Sequence, residues 1–88
     1  MLFLIHFKVT PETRDNALKR LKASGPGEVP GVKQIAGPWF SVTQLEGWGL
    51  VEAENAIALG QLLHGWTDLA VNRITPVLSA EDVLELVS

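Results

Sequence analysis

His6 is the first residue able to do acid–base chemistry, because imidazole is the only side chain whose ordinary titration falls near neutral pH. It lies in the run Leu2-Phe3-Leu4-Ile5-His6-Phe7-Lys8-Val9, which reads as a strand with both faces at least partly covered. Strand alternation puts His6 on a face with Leu2, Leu4 and Lys8, while Phe3, Ile5, Phe7 and Val9 point the other way. A proton-transfer site also needs walls that exclude water and a group that positions the substrate. Trp39 and Trp48 are the candidate walls, and Arg73 is the candidate cation for an anionic group. His6, Trp39, Trp48 and Arg73 are therefore the ligand-pocket candidates, with His6 the one catalytic candidate. The commoner role of such a histidine is a hydrogen-bonded interface residue.

Other chemistry is poorly supplied. His64 falls near the end of a helical stretch, where a capping or surface role suits it. The chain has no cysteine, which removes disulfides, thiolate nucleophiles and thiolate ligands together. Two distant histidines without a short-spaced ligand pair give no metal site. No cofactor motif is present, because the glycines of Glu46-Gly47-Trp48-Gly49-Leu50-Val51-Glu52-Ala53 lack the strand-loop-helix context of a phosphate loop. The same octapeptide resembles the third-strand motif of RNA-recognition domains, yet Glu46 stands where a cation is needed and Leu50 where an aromatic ring would stack. The net charge of −3 also argues against nucleic acid. Six of the seven Lys and Arg residues precede the midpoint and the second half is acidic, which reads as a solvated first helix rather than an electrostatic docking surface.

The elements that must position these residues are short, and the 88 residues read as one domain. Thr10 is placed to cap a helix with Pro11 at its first position. Ala17, Leu18 and Leu21 form its buried stripe, and Ser24-Gly25-Pro26-Gly27 stops it. Val32 to Ala36 reads as a strand that Gly37-Pro38 breaks or bends. Trp39 to Leu45 either continues it or forms a hairpin arm. Trp48 to Ala53 is the next strand, and Glu54-Asn55 starts a second helix with Ile57, Leu59, Gly60, Leu63 and Trp66 facing the core. Asp68 is placed to accept an indole or backbone N–H. Leu69 to Leu78 is the last strand, with Pro76 suiting an edge. Ser79-Ala80-Glu81-Asp82 caps a final short helix carrying Val83, Leu84 and Val87.

The order β-α-β-β-α-β with a C-terminal helix predicts an α+β, ferredoxin-like fold: a four-stranded antiparallel sheet with two helices on one face. The first and third strands should be central. Their antiparallel pairing sets Trp48 near the His6 and Lys8 end, Glu52 near Leu2 and Leu4, and Arg73 or Asn72 beside His6 from the last strand. The face bearing Leu2, Leu4, Trp48 and Leu50 is too apolar to be left in water. A chain this short buries a modest core, so pairing of two copies is a natural source of stability. Leu2, Leu4, Trp48 and Leu50 are thus the dimer-interface candidates.

The opening strand Met1-Leu2-Phe3, the helix start Thr10-Pro11-Glu12-Thr13-Arg14, Gly31-Val32-Lys33, Gly49-Leu50-Val51-Glu52-Ala53, Trp66-Thr67-Asp68 and Thr75-Pro76-Val77-Leu78 together resemble a small bacterial family of uncharacterised proteins, a domain of unknown function, in the dimeric α+β barrel superfamily. The resemblance implies that two sheets face each other, helices outside, with a pocket in each subunit. That superfamily includes cofactor-independent monooxygenases, muconolactone isomerase-like enzymes and stress-response proteins, so the fold does not choose a reaction. Two functions are carried forward. One is a homodimeric binding or interaction protein. The other is a cofactor-independent enzyme, isomerase- or monooxygenase-like, acting on a small apolar or aromatic metabolite. The opening run is broken by His6 and Lys8 and reads as strand rather than targeting signal. No stretch is long enough to cross a bilayer, and the lack of cysteine makes the cytoplasm the expected location.

Overall fold

The computed structural model describes residues 1–87. Its elements are β1 (Leu2–Lys8), α1 (Arg14–Ser24), β2 (Val32–Phe40), β3 (Glu46–Ala53), α2 (Ala56–His64), β4 (Val71–Val77) and α3 (Ala80–Glu85). The strands form one antiparallel sheet in the order β2-β3-β1-β4. This is the ferredoxin-like α+β arrangement, with β1 and β3 central as their apolar content requires.

The core lies between the sheet and the helices. Phe3, Ile5, Val51, Ala53 and Leu59 are its buried cluster. Large residues of β1 face small ones of β3 across the ladder: Phe3 opposes Val51, Ile5 opposes Gly49 and Phe7 opposes Gly47. Small residues on β3 leave room for the β1 side chains to lean across the sheet.

Several boundaries differ from the sequence reading, among them that of β4, which spans Val71–Val77 rather than Leu69 to Leu78 because residues 67–69 belong to the turn after α2. Residues 11–13 form a turn, and α1 starts only at Arg14. Thr10 organises that turn, its carbonyl accepting from the N–H groups of Thr13 and Arg14 and its hydroxyl from Thr13 N–H at 3.3 Å. The strand expected to stop at Ala36 runs on to Phe40. Its pairing with β3 shifts register between Gln34 and Ala36 and again between Ala36 and Trp39, so the edge strand absorbs Gly37-Pro38 as an irregularity. The third strand begins at Glu46 rather than Trp48. A tight link closes this hairpin, with Gln44 in the left-handed region at φ 59 and Ser41 N–H bonded to the Glu46 carbonyl.

Asn55 caps α2, its Oδ1 accepting from Ala58 N–H at 2.9 Å. The inward side of α2 carries Ala58 and Leu59, with Leu63 packed against the core. Ile57 and Gly60, expected inside, face out, and Ile57 is 75 % exposed. The phase is set by Asn55: a helix that starts at Ala56 turns positions 58 and 59 to the sheet and leaves 57 and 60 on its flank.

α1 has no fully buried residue. It is tied along one edge to the segment after α2. Thr13 Oγ1 donates to the Leu69 carbonyl at 3.0 Å. Arg20 donates to the Gly65 carbonyl at 2.8 Å and to both carboxylate oxygens of Asp68 at 3.0 and 2.6 Å. The Trp66 indole donates at 2.8 Å to the Pro26 carbonyl, just past the helix end. Asp68, expected to accept from an indole or backbone N–H, instead holds Arg20. That hydrogen bond keeps the Asp68 carboxyl below its ordinary range and raises Arg20.

At the far end, Ser79 caps α3 by accepting from Asp82 N–H at 3.1 Å. Residues 80–87 are all exposed, including Val83, Leu84 and Val87. The Cα radius of gyration is 14.1 Å, against about 12 Å for a compact chain of this length, in keeping with these projecting residues.

Candidate functional site

The ladder register fixes what shares the sheet face turned away from α1 and α2. Trp39 pairs with Trp48, Trp48 with His6, and His6 with Arg73. Residues directly opposed in antiparallel strands lie on the same face, so Trp39, Trp48, His6 and Arg73 form one row across all four strands. The imidazole of His6 stacks on the Trp48 indole, ring centroids 5.0 Å apart and planes 1° from parallel. Asn72, the alternative neighbour from the last strand, pairs with Phe7 and so belongs to the opposite face.

The adjoining row is apolar. Leu4 pairs with Leu50, and Ala36 pairs with Leu50 from the other side. Leu2 lies one step further, between Glu52 and Val77. Leu2, Leu4, Trp48 and Leu50 are each half-buried by their neighbours in the sheet.

Glu46 is the member of the site that sequence reasoning missed. Its Oε1 lies 3.4 Å from His6 Nε2, with the side chains 39 % and 26 % exposed respectively. The signal was available: once Trp48 opposes His6, Glu46 is two residues back on the same face, a diagonal neighbour within reach. The carboxylate and the indole together restrict the imidazole, one by a polar contact at its edge and one by its flat surface. An oriented His–carboxylate pair is the usual form of a proton-transfer group.

A family model matches residues 1–88. The chain belongs to the DUF3303 family. That family is described as a domain of unknown function, and no curated protein and no solved structure matches the chain. The chemistry open to this DUF3303 chain is therefore read from its geometry. Among the described residues no group of His, Asp and Glu side chains is arranged to hold a metal ion, and no helix is long and apolar enough to cross a membrane.

The row lies apart from the partly open cavity between the sheet and α1 of this DUF3303 chain. A cavity of about 100 Å³ occupies the other side of the sheet, under α1, and none of His6, Trp39, Trp48 and Arg73 lines it. Within one copy, those four residues make an open wall, with Trp39 56 % exposed at its edge.

Proposed function

We propose that the protein works as a homodimeric binding protein, two copies meeting through the sheet face that bears Leu2, Leu4, Trp48 and Leu50. The observation that carries this reading is the in-register row Trp39-Trp48-His6-Arg73, set beside an apolar row on the face turned away from α1 and α2. Apolar surface of that kind is stabilised by removal from water, and a second copy presents a matching surface. Facing sheets would turn the open wall into a compartment. Its chemistry suits a small aromatic or apolar molecule: indoles for flat packing, imidazole for a hydrogen bond, and Arg73, which has no ion-pair partner among the described residues, for an anionic group. Native mass spectrometry of the purified protein tests both halves, because it reports subunit number and any retained small molecule together. A monomer by light scattering at micromolar concentration defeats the reading.

A second reading, a cofactor-independent enzyme, is favoured by the His6–Glu46 contact alone. In it His6 moves a proton, Glu46 orients the imidazole, and Arg73 holds the substrate anion. Turnover that is lost in His6→Ala while the dimer persists would select this reading over plain binding.

A further inference from the structure

Gly47 and Gly49 leave β3 without side chains at two successive positions on its helix-facing side, opposite Phe7 and Ile5. The Phe7 and Phe40 rings close over Gly47, edge to face at 5.4 Å. The space over Gly49 stays open: a Cβ built there would meet its nearest atom, the Ala36 carbonyl oxygen, only at 3.8 Å. Above it stands α1, which reaches the segment after α2 through the bonds of Thr13 and Arg20 and buries none of its residues fully. Between them lies the cavity of about 100 Å³, with Ile5, Phe7, Leu18, Leu21, Leu63 and Trp66 in its walls.

Four polar residues, Arg14, Gln34, Gln44 and Asn72, interrupt the otherwise apolar lining; Arg14 faces Asp15, and Gln34 and Gln44 donate to the Ala36 and Val42 carbonyls. Asn72 opposes Phe7 from β4 and borders the cavity. It is half-buried, and its side-chain amide makes no hydrogen bond to another described residue. No unpartnered polar side-chain atom of the described residues is fully buried, so the Asn72 amide keeps contact with solvent and its donor and acceptor are free for a ligand at the cavity wall. Atoms around a void also lack dispersion partners on one side, and a dry cavity of about 150 Å³ with aliphatic and aromatic walls takes up benzene.

We infer that this cavity is a binding site for an uncharged molecule the size of one aromatic ring, carrying a single hydroxyl that the Asn72 amide hydrogen-bonds. A charged group is disfavoured there, because Arg14, the one charged side chain of the lining, already faces Asp15 at 3.3 Å, and an ion against the remaining apolar walls would be desolvated without a free partner. The site lies across the sheet from the His6 row, so it stands whether or not two copies pair.

Phenol and benzene are the probes, titrated into the intact protein with the methyl NMR signals of Leu18, Leu21, Leu62 and Leu63 as readout. The expected result is a saturable shift of those methyls, with phenol binding roughly fivefold more tightly than benzene, the scale of one net hydrogen bond. Asn72→Ala should remove that preference and leave benzene binding intact. Gly49→Val should weaken both probes at least about tenfold by filling the void, and the open space at Gly49 lets the strand accept it. Absence of saturable shifts at millimolar probe, or wild-type binding by Gly49→Val, overturns the site. Equal affinity for phenol and benzene in the wild type overturns the role of Asn72. If Gly49→Val fails to fold, Leu18→Phe fills the same void from α1 and carries the same test.

Discussion

Phe7 and Phe40 touch edge to face, at 73° between ring planes, although a whole strand separates theirs. They meet because Gly47, paired with both, offers no side chain between them. A Cβ at Gly47 would overlap the Phe7 ring and the Trp39 carbonyl oxygen. The second of these is backbone, which cannot rotate away.

Gly47→Ala should therefore destabilise the protein by about 3 kcal/mol, the upper range for overpacking. For a chain of this size that lowers the melting temperature by roughly 15 °C. Calorimetry or circular dichroism melts check it, and a melting temperature within a few degrees of wild type would contradict the close approach.

Gln44 gives the opposite sign. It holds φ 59 in the β2–β3 link, a conformation that strains any residue with a Cβ. Gln44→Gly should stabilise by about 1 kcal/mol, read as a higher urea midpoint with an unchanged slope. The Gln44 side-chain bond to the Val42 carbonyl is the interaction it gives up.

Leu4→Glu tests the proposed dimer. Leu4 sits in the middle of the open face between Leu50 and Thr75, so a carboxylate there would be desolvated without a partner on pairing. Light scattering should report a monomer where the wild type is a dimer. The monomer should keep its sheet, since the position is half-buried rather than enclosed within one copy.

His6→Ala and Glu46→Gln separate the roles of the dyad. One imidazole adds little to a large apolar interface, so both variants should remain dimeric. Ligand binding or turnover at the open face should fall in His6→Ala. Glu46→Gln keeps the shape and removes the charge, and it should lower turnover more than affinity.

The Arg20–Asp68 pair sets a pH dependence whose sign is fixed by the carboxylate. Asp68 titrates below its ordinary value of 3.8, chiefly because Arg20 hydrogen-bonds it. A carboxylate with a lowered folded value stabilises fully above the unfolded value, and that stabilisation is lost as pH falls through the folded value. Carboxyl NMR titration should place the Asp68 midpoint below 3.8. Arg20→Gln should return it to the ordinary range and remove this part of the acid sensitivity. The pair is exposed, so the effect on overall stability is small.

Much of the architecture was legible because alternation and capping are local. The β1 run announced a central strand, and Asn55 and Ser79 announced two helix starts that their cap bonds bear out. The row at the site was legible for the same reason: pairing β1 with β3 fixes Trp48 opposite His6 without any knowledge of side-chain packing. What stayed hidden depended on distance along the chain or on phase. Glu46 lay outside the expected strand, so its reach to His6 was not considered. Ile57 looked like core because its helix could have started one residue either way. The cavity could not be read at all, since an absence over Gly49 depends on where α1 comes to rest.

The edge by which α1 is attached has a consequence for how the molecule comes apart. Bonds from Thr13 and Arg20, with the Trp66 bond to Pro26 at its end, tie this helix to one stretch of chain, and none of them belongs to the strand ladder. Lifting the helix would leave every rung of the sheet in place. Amide hydrogens in the middle of the helix should thus exchange through a local opening, well before those of β1 and β3, which wait for global unfolding. Two protection classes, divided between helix and central strands, make this protein a pair of cooperative units joined by a strap.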